Sequence, residues 1–124
     1  SCISLDDYSF VILPGGKAVF ETHLESSVTN EIIKDFYDKQ KLVCAICAAP
    51  MVLNNYLVGK DFTCFPSCED NILGNYTKSK VEVVDNIITS KAAGTTFEFS
   101  YEIIKYLKGE EEAKKVLNNV YYLE

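Results

Sequence analysis

With 124 residues, 48% of them hydrophobic and 24% charged, the chain has the size and composition of a single globular domain. A net charge of −6 and a pI near 4.8 set its surface against phosphate backbones, so nucleic acid is not an expected partner. No apolar run reaches the roughly 20 residues of a membrane helix, and residues 1–7 lack the basic and apolar regions of a secretion signal; the expectation is a cytoplasmic protein without a membrane partner.

In chain order, Tyr8-Ser9-Phe10-Val11-Ile12-Leu13 reads as a buried strand stopped by Pro14-Gly15-Gly16. Ser26 or Ser27 caps a helix whose apolar face is Val28, Ile32, Ile33 and Phe36. Leu42 to Ile46 is a second strand, closed by the small residues Ala48 and Ala49. Pro50 then suits the first turn of a helix running through Met51, Val52, Leu53 and Tyr56 to Gly59. Phe62 to Phe65 reads as a short strand before Pro66, and residues 67–80 as a short helix followed by a loop. Val81–Asp85 and Ile87–Thr89 predict two strands joined at Asn86. Thr95 and Glu98 have capping-box spacing at the start of a helix carrying Phe99, Ile103, Ile104 and Leu107. A last helix covers 110–119, its Glu110-Glu111-Glu112 run suiting the first turn, and the chain ends in Val120-Tyr121-Tyr122-Leu123-Glu124.

Strands alternating with helices imply a mostly parallel sheet covered on both faces, with ligands expected at the carboxyl ends of the strands. Two strands end in candidate functional loops, Pro14-Gly15-Gly16 and Cys47-Ala48-Ala49-Pro50. A thiol becomes a nucleophile when its thiolate is stabilised, and a strand-to-helix turn offers backbone N–H groups for that purpose. Cys47 occupies such a turn among small neighbours. Local sequence alone leaves two readings open, a nucleophile at an elbow or a core cysteine. The paired glycines after the first strand free the backbone to aim N–H groups at an oxyanion, or simply make a turn.

Leu13-Pro14-Gly15-Gly16, Ala45-Ile46-Cys47-Ala48-Ala49-Pro50 and Thr89-Ser90-Lys91-Ala92-Ala93-Gly94-Thr95-Thr96-Phe97-Glu98-Phe99 together resemble the ThiJ/PfpI family, in the branch of the Parkinson-disease-associated protein deglycase and its bacterial relatives. The resemblance implies an α/β, flavodoxin-like three-layer sandwich of the class I glutamine-amidotransferase type, here without its first βα units. It further implies a homodimer, no cofactor and no metal. Cys47 falls on the family's nucleophile, Gly16 and Ala48 on its backbone donors, and Gly15 and Pro66 beside the pocket. The implied chemistry is a cysteine-dependent, cofactor-independent glyoxalase or protein deglycase acting on small dicarbonyls or their glycated adducts, in carbonyl and oxidative stress. The other function implied is a redox sensor or chaperone switched by oxidation of Cys47. In the family the acid–base glutamate lies in the first βα unit, so a complementary amino-terminal segment is an expected partner; Glu21 and Glu25 are not promoted to fill that role. Phe65 stands where many members have histidine, and His23, the single histidine, reads as a surface residue.

Two other uses of the five cysteines are weaker. Cys44-Ala45-Ile46-Cys47 has dithiol spacing, but strand alternation sends Cys44 and Cys47 to opposite faces. Adding Cys64 and Cys68 imitates a zinc-ribbon spacing without the mobile turns such sites use. Thr89-Ser90 and the Gly94-Thr95 helix start could hold an anion, although a plain capped helix accounts for the same residues.

Overall fold

The computed structural model describes residues 8–15 and 27–119. The elements run β1 (Phe10–Leu13), α1 (Ser27–Asp38), β2 (Leu42–Ile46), α2 (Asn54–Leu57), β3 (Asp61–Phe62), β4 (Asn75–Tyr76), β5 (Val81–Val84), β6 (Ile87–Ser90), α3 (Thr96–Lys108) and α4 (Glu110–Asn119). Four of the strands form a sheet in the order β1-β2-β6-β5. The β1–β2 and β2–β6 pairs are parallel, and β5 returns antiparallel to β6.

Period-two alternation along β2 and β6 divides the core between the two faces of this sheet. Val43, Ala45 and Ile87 pack with Ile33 and Phe36 of α1 and with Met51, Leu53 and Leu57 of the segment after β2. Leu42, Cys44 and Ile88 pack on the other face with Phe99 and Ile103 of α3. The result is the expected three-layer α/β sandwich, flavodoxin-like in architecture. Every residue of β2 from Leu42 to Ala45 is buried, as a central strand covered on both faces requires.

Five local expectations are corrected. Tyr8–Leu13, expected to be a buried strand, forms β1 only from Phe10 to Leu13, and as an edge strand among the described residues it leaves Phe10 and Ile12 exposed. The helix expected from Pro50 to Tyr56 is a 3-10 turn over Ala49–Leu53 followed by the single turn of α2, because all five residues from Ala49 to Leu53 are buried and no polar face is presented to solvent. The strand expected over Phe62–Phe65 is only the two residues of β3, which pair with β4 in a separate small sheet. Beyond Phe62, the Thr63 N–H donates to the Thr89 hydroxyl at 3.0 Å and the Phe65 N–H to the Cys47 carbonyl at 2.8 Å, so no regular ladder continues. Thr95 does not cap α3 with its side chain. Its hydroxyl instead donates to the Ala92 carbonyl at 2.8 Å and lies 2.6 Å from the Ser90 hydroxyl. These bonds, with that from the Ser90 hydroxyl to the Lys80 carbonyl at 2.8 Å, engage both hydroxyls within the fold rather than at the start of α3. Finally, the apolar stripe of α1 narrows to Ile32, Ile33 and Phe36, with Val28 58% exposed in the first turn.

The end of the sheet away from the strand carboxyl ends is closed by Asn86, the residue expected to join β5 and β6. Its buried amide donates to the Lys41 carbonyl at 2.7 Å and the Tyr37 carbonyl at 3.2 Å, while its own carbonyl accepts the Val43 N–H at 2.8 Å. The hairpin is thereby tied to the α1–β2 connection. Gly74 closes the small sheet by close approach: a Cβ there would lie 2.5 Å from the Leu57 carbonyl oxygen and 2.6 Å from that of Lys60. Both obstacles are backbone, so Gly74→Ala is expected to lower unfolding stability by about 1–3 kcal/mol in denaturant titration.

Candidate functional site

Three parallel strands end side by side, and their carboxyl ends carry the site. Gly15 follows β1, Cys47 follows β2, and Ser90 ends β6. The flat run of β2 stops because Cys47 adopts φ +66°, a left-handed conformation that a side chain with a Cβ rarely takes. Two hydrogen bonds hold that conformation. The Cys47 N–H donates to the Ser90 carbonyl at 3.0 Å, and its carbonyl accepts the Phe65 N–H at 2.8 Å. A non-glycine residue so placed costs on the order of 1–3 kcal/mol and persists only when its surroundings over-determine it.

The sequence around the turn is small for a steric reason. A Cβ on Gly15 would stand 2.5 Å from the Cys47 Cβ, 2.8 Å from the Ile46 carbonyl oxygen and 3.0 Å from the Ala48 nitrogen. Ala48 and Ala49 are buried in the core beneath. Cys47 itself is half-buried, whereas Cys44, Cys64 and Cys68 are buried. Cys44 lies on the α3 face with Phe99 and Ile103, away from the partners of Cys47, so the two do not form a facing dithiol.

Of the residues singled out from sequence, Gly15, Cys47 and Ala48 are brought into contact range at one place. Pro66 is an exposed corner of the turn that follows Phe65, whose N–H meets the Cys47 carbonyl. Gly16, Glu21, His23 and Glu25, together with the closing residues 120–124, lie outside the described residues. Among the described residues, no group of three or more His, Cys, Asp or Glu is arranged to hold a metal ion. A groove between α1 and the segment after β2 is lined by Asn30, Lys34, Met51, Asn54 and Tyr56, but by none of Gly15, Cys47, Ala48 or Pro66.

Sequence alone did not anticipate that Cys64, Cys68 and Glu69 gather near Cys47. Burial pushes the Cys64 thiol up to about 12, with the charges of Cys68, Glu69 and Cys47 adding to the effect. Burial also raises Cys68, followed by the charges of Cys47 and Glu69. Cys44 is pushed up to about 12 by burial. In sequence, Cys64 and Cys68 enter only a zinc-ribbon-like spacing with Cys44 and Cys47 that lacks the mobile turns of such sites, and Pro66 is the residue that turns the chain between 64 and 68.

Two outcomes follow. In Gly15→Ala the added methyl displaces the Cys47 elbow, so alkylation of Cys47 by iodoacetamide should change several-fold while the fold, read by circular dichroism, is retained. For Cys44, folded and unfolded states both hold the proton below 9.0; between 9.0 and about 12 the unfolded chain ionises first. Stability should therefore fall as pH rises through that window, and Cys44→Ala should flatten the slope in denaturant titrations across it.

The chain matches the DJ-1/PfpI family over residues 2–106. It is 35% identical over 119 residues to protein dj-1beta of Drosophila melanogaster, covering 92% of this chain and 64% of that protein. It is 34% identical over 115 residues to the Parkinson disease protein 7 homolog of Danio rerio, covering 88% of this chain and 61% of the relative. The glutathione-independent glyoxalase DJR-1.2 of Caenorhabditis elegans is 32% identical over 114 residues, covering 89% of this chain and 61% of that enzyme. The crystal structure of Drosophila DJ-1beta superposes with a TM-score of 0.84 at 31% identity, covering 94% of this chain and 68% of that one. The chain thus spans under two thirds of the length of these curated relatives. A three-layer fold, a strained cysteine after its central strand and a family match over most of the sequence agree: this chain belongs to the DJ-1/PfpI family.

Proposed function

We propose that Cys47 is the nucleophile of a cofactor-independent glyoxalase or deglycase acting on small dicarbonyls or their adducts. The observation that carries this reading is the left-handed conformation of Cys47 at the carboxyl end of the central parallel strand, pinned on both sides by backbone hydrogen bonds. A backbone held off its preferred conformation at a half-buried thiol supports the reading of a side chain presented for chemistry. The glyoxalase DJR-1.2 among the relatives supports the choice of substrate class.

The thiolate of Cys47 attacks the aldehyde carbon of the dicarbonyl and forms a hemithioacetal. Backbone N–H groups at Gly16 and Ala48 stabilise the oxyanion, and a proton moves from the attacked carbon to its neighbour. The resulting thioester takes up water and releases a 2-hydroxy acid, so dicarbonyl plus water equals product and the thiol is regenerated. The family resemblance assigns the proton transfer to a glutamate of an amino-terminal βα unit. The outer side of β1 is the natural seat for that unit: β1 is an edge strand among the described residues, and its Tyr8, Phe10 and Ile12 neighbourhood is exposed. Free thiols at all four described cysteines suit a reducing, cytoplasmic setting.

A non-enzymatic redox sensor is the second reading, favoured by the Cys64 and Cys68 thiols close to Cys47. Lactate formation from methylglyoxal by the full-length protein separates the two. Cys47→Ala should lower turnover on the order of 10³-fold, the scale of losing a covalent nucleophile. Undiminished turnover in that variant would overturn the enzyme assignment, whereas no turnover with selective sulfinate formation at Cys47 would favour the sensor.

A further inference from the structure

Cys68 is not used by the chemistry above, yet the fold brings it back to the elbow. Phe65 N–H donates to the Cys47 carbonyl at 2.8 Å, and Cys68 N–H donates to the Phe65 carbonyl at 3.0 Å. The second bond closes a tight turn with Pro66 at its first corner and Ser67, at φ +86°, at its second. A proline followed by a residue with positive φ is the pattern of a type II turn, normally completed by glycine. Two hydrogen bonds in series thus connect the backbones of Cys47 and Cys68. Here a serine holds the left-handed corner, so the turn is maintained against a local preference.

We propose that Cys68 is the resolving thiol of Cys47, closing a Cys47–Cys68 disulfide after Cys47 has been oxidised by a hydroperoxide. This rests on the assignment of Cys47 as the reactive thiol. In the first step the Cys47 sulfur attacks the peroxide oxygen. The O–O bond breaks, the sulfur loses two electrons to give a sulfenic acid, and the peroxide leaves as an alcohol or water after taking up a proton. In the second step the Cys68 sulfur attacks the sulfenic sulfur, the S–S bond forms and the S–O bond breaks. The departing hydroxide takes the Cys68 proton and leaves as water. Glu69, next along the chain, has a buried Oε2 without a hydrogen-bond partner among the described residues and is the available relay for that proton. A dithiol reductant restores both thiols by exchange.

The other thiols are excluded by their placement. Cys44 lies on the opposite face of the sheet among α3 side chains. Cys64 is fully buried, and its thiol is directed at the Phe65 carbonyl oxygen at 3.4 Å. Cys68 is 5% exposed, and its thiol is raised by burial first and then by its neighbours Cys47 and Glu69. The disulfide would preserve Cys47 from irreversible oxidation.

The test treats the purified full-length protein with one equivalent of tert-butyl hydroperoxide and maps cysteine states by peptide mass spectrometry under non-reducing conditions. The expected result is a peptide pair joining Cys47 to Cys68, lost on treatment with dithiothreitol. In Cys68→Ala, and not in Cys64→Ala, Cys47 sulfinate should rise several-fold at the same dose. Cys47 found as sulfenate or sulfinate with Cys68 still free in the unmodified protein overturns the proposal while leaving the reactive-thiol assignment intact. Pairing of Cys47 with any other cysteine also overturns it. Cys47 left as a free thiol while other residues are oxidised removes the assignment on which the proposal rests.

Discussion

The left-handed backbone of Cys47 organises this domain's functional end. Its N–H is bound by the Ser90 carbonyl of β6 and its carbonyl by the Phe65 N–H, so two segments distant in sequence share the task of holding one unfavourable dihedral angle. A conformation of this kind persists where its surroundings over-determine it. The frame around Cys47 is β2, buried from Leu42 to Ala45 and flanked by parallel partners on both sides. Gly15 completes the arrangement by leaving out the atom that would collide with the Cys47 Cβ.

The core and the site therefore make opposite demands within a few residues. Val43 and Ala45 are committed to the α1 face, and Leu42 and Cys44 to the α3 face, so β2 has no slack to shift register. One residue beyond Ile46 the chain leaves the ladder at the half-buried Cys47 and re-enters the core at Ala48. Small side chains at 48 and 49 allow that re-entry, and the buried segment that follows takes a 3-10 form rather than a long helix.

Thiols in this chain have separate environments despite similar local sequence. Cys44 and Cys64 are sealed in apolar surroundings that keep them protonated far above neutrality, which makes them packing residues at physiological pH. Cys47 is set apart by exposure and backbone geometry. Cys68 belongs to neither class: it is buried like a core residue but tied by its own backbone to the turn that meets Cys47.

Much of the fold was legible in the residues because the signals were local. The apolar run Leu42–Ile46 bounded by Lys41 and small residues, the hairpin centred on Asn86, and the acidic start of a helix at Glu110 all appear where periodicity and turn chemistry put them. Three motifs in order were also enough to mark the family. Sequence did not reveal the truncated β3, whose Thr63 N–H prefers a hydroxyl on β6 to a ladder partner, or the Thr95 hydroxyl that turns back to Ala92 and Ser90 instead of capping α3. Nor did it show Cys68 near Cys47. Each of these depends on an atom supplied by a distant segment, and such an atom has no representation in local propensity. The sequence by itself determined that Leu42–Ile46 is a buried strand, that a hairpin turns at Asn86 and that Cys47 directly follows a core strand. Only the tertiary structure decided that Cys47 is held in a strained conformation and which thiols surround it, because hydrogen bonds and burial across the sheet set both.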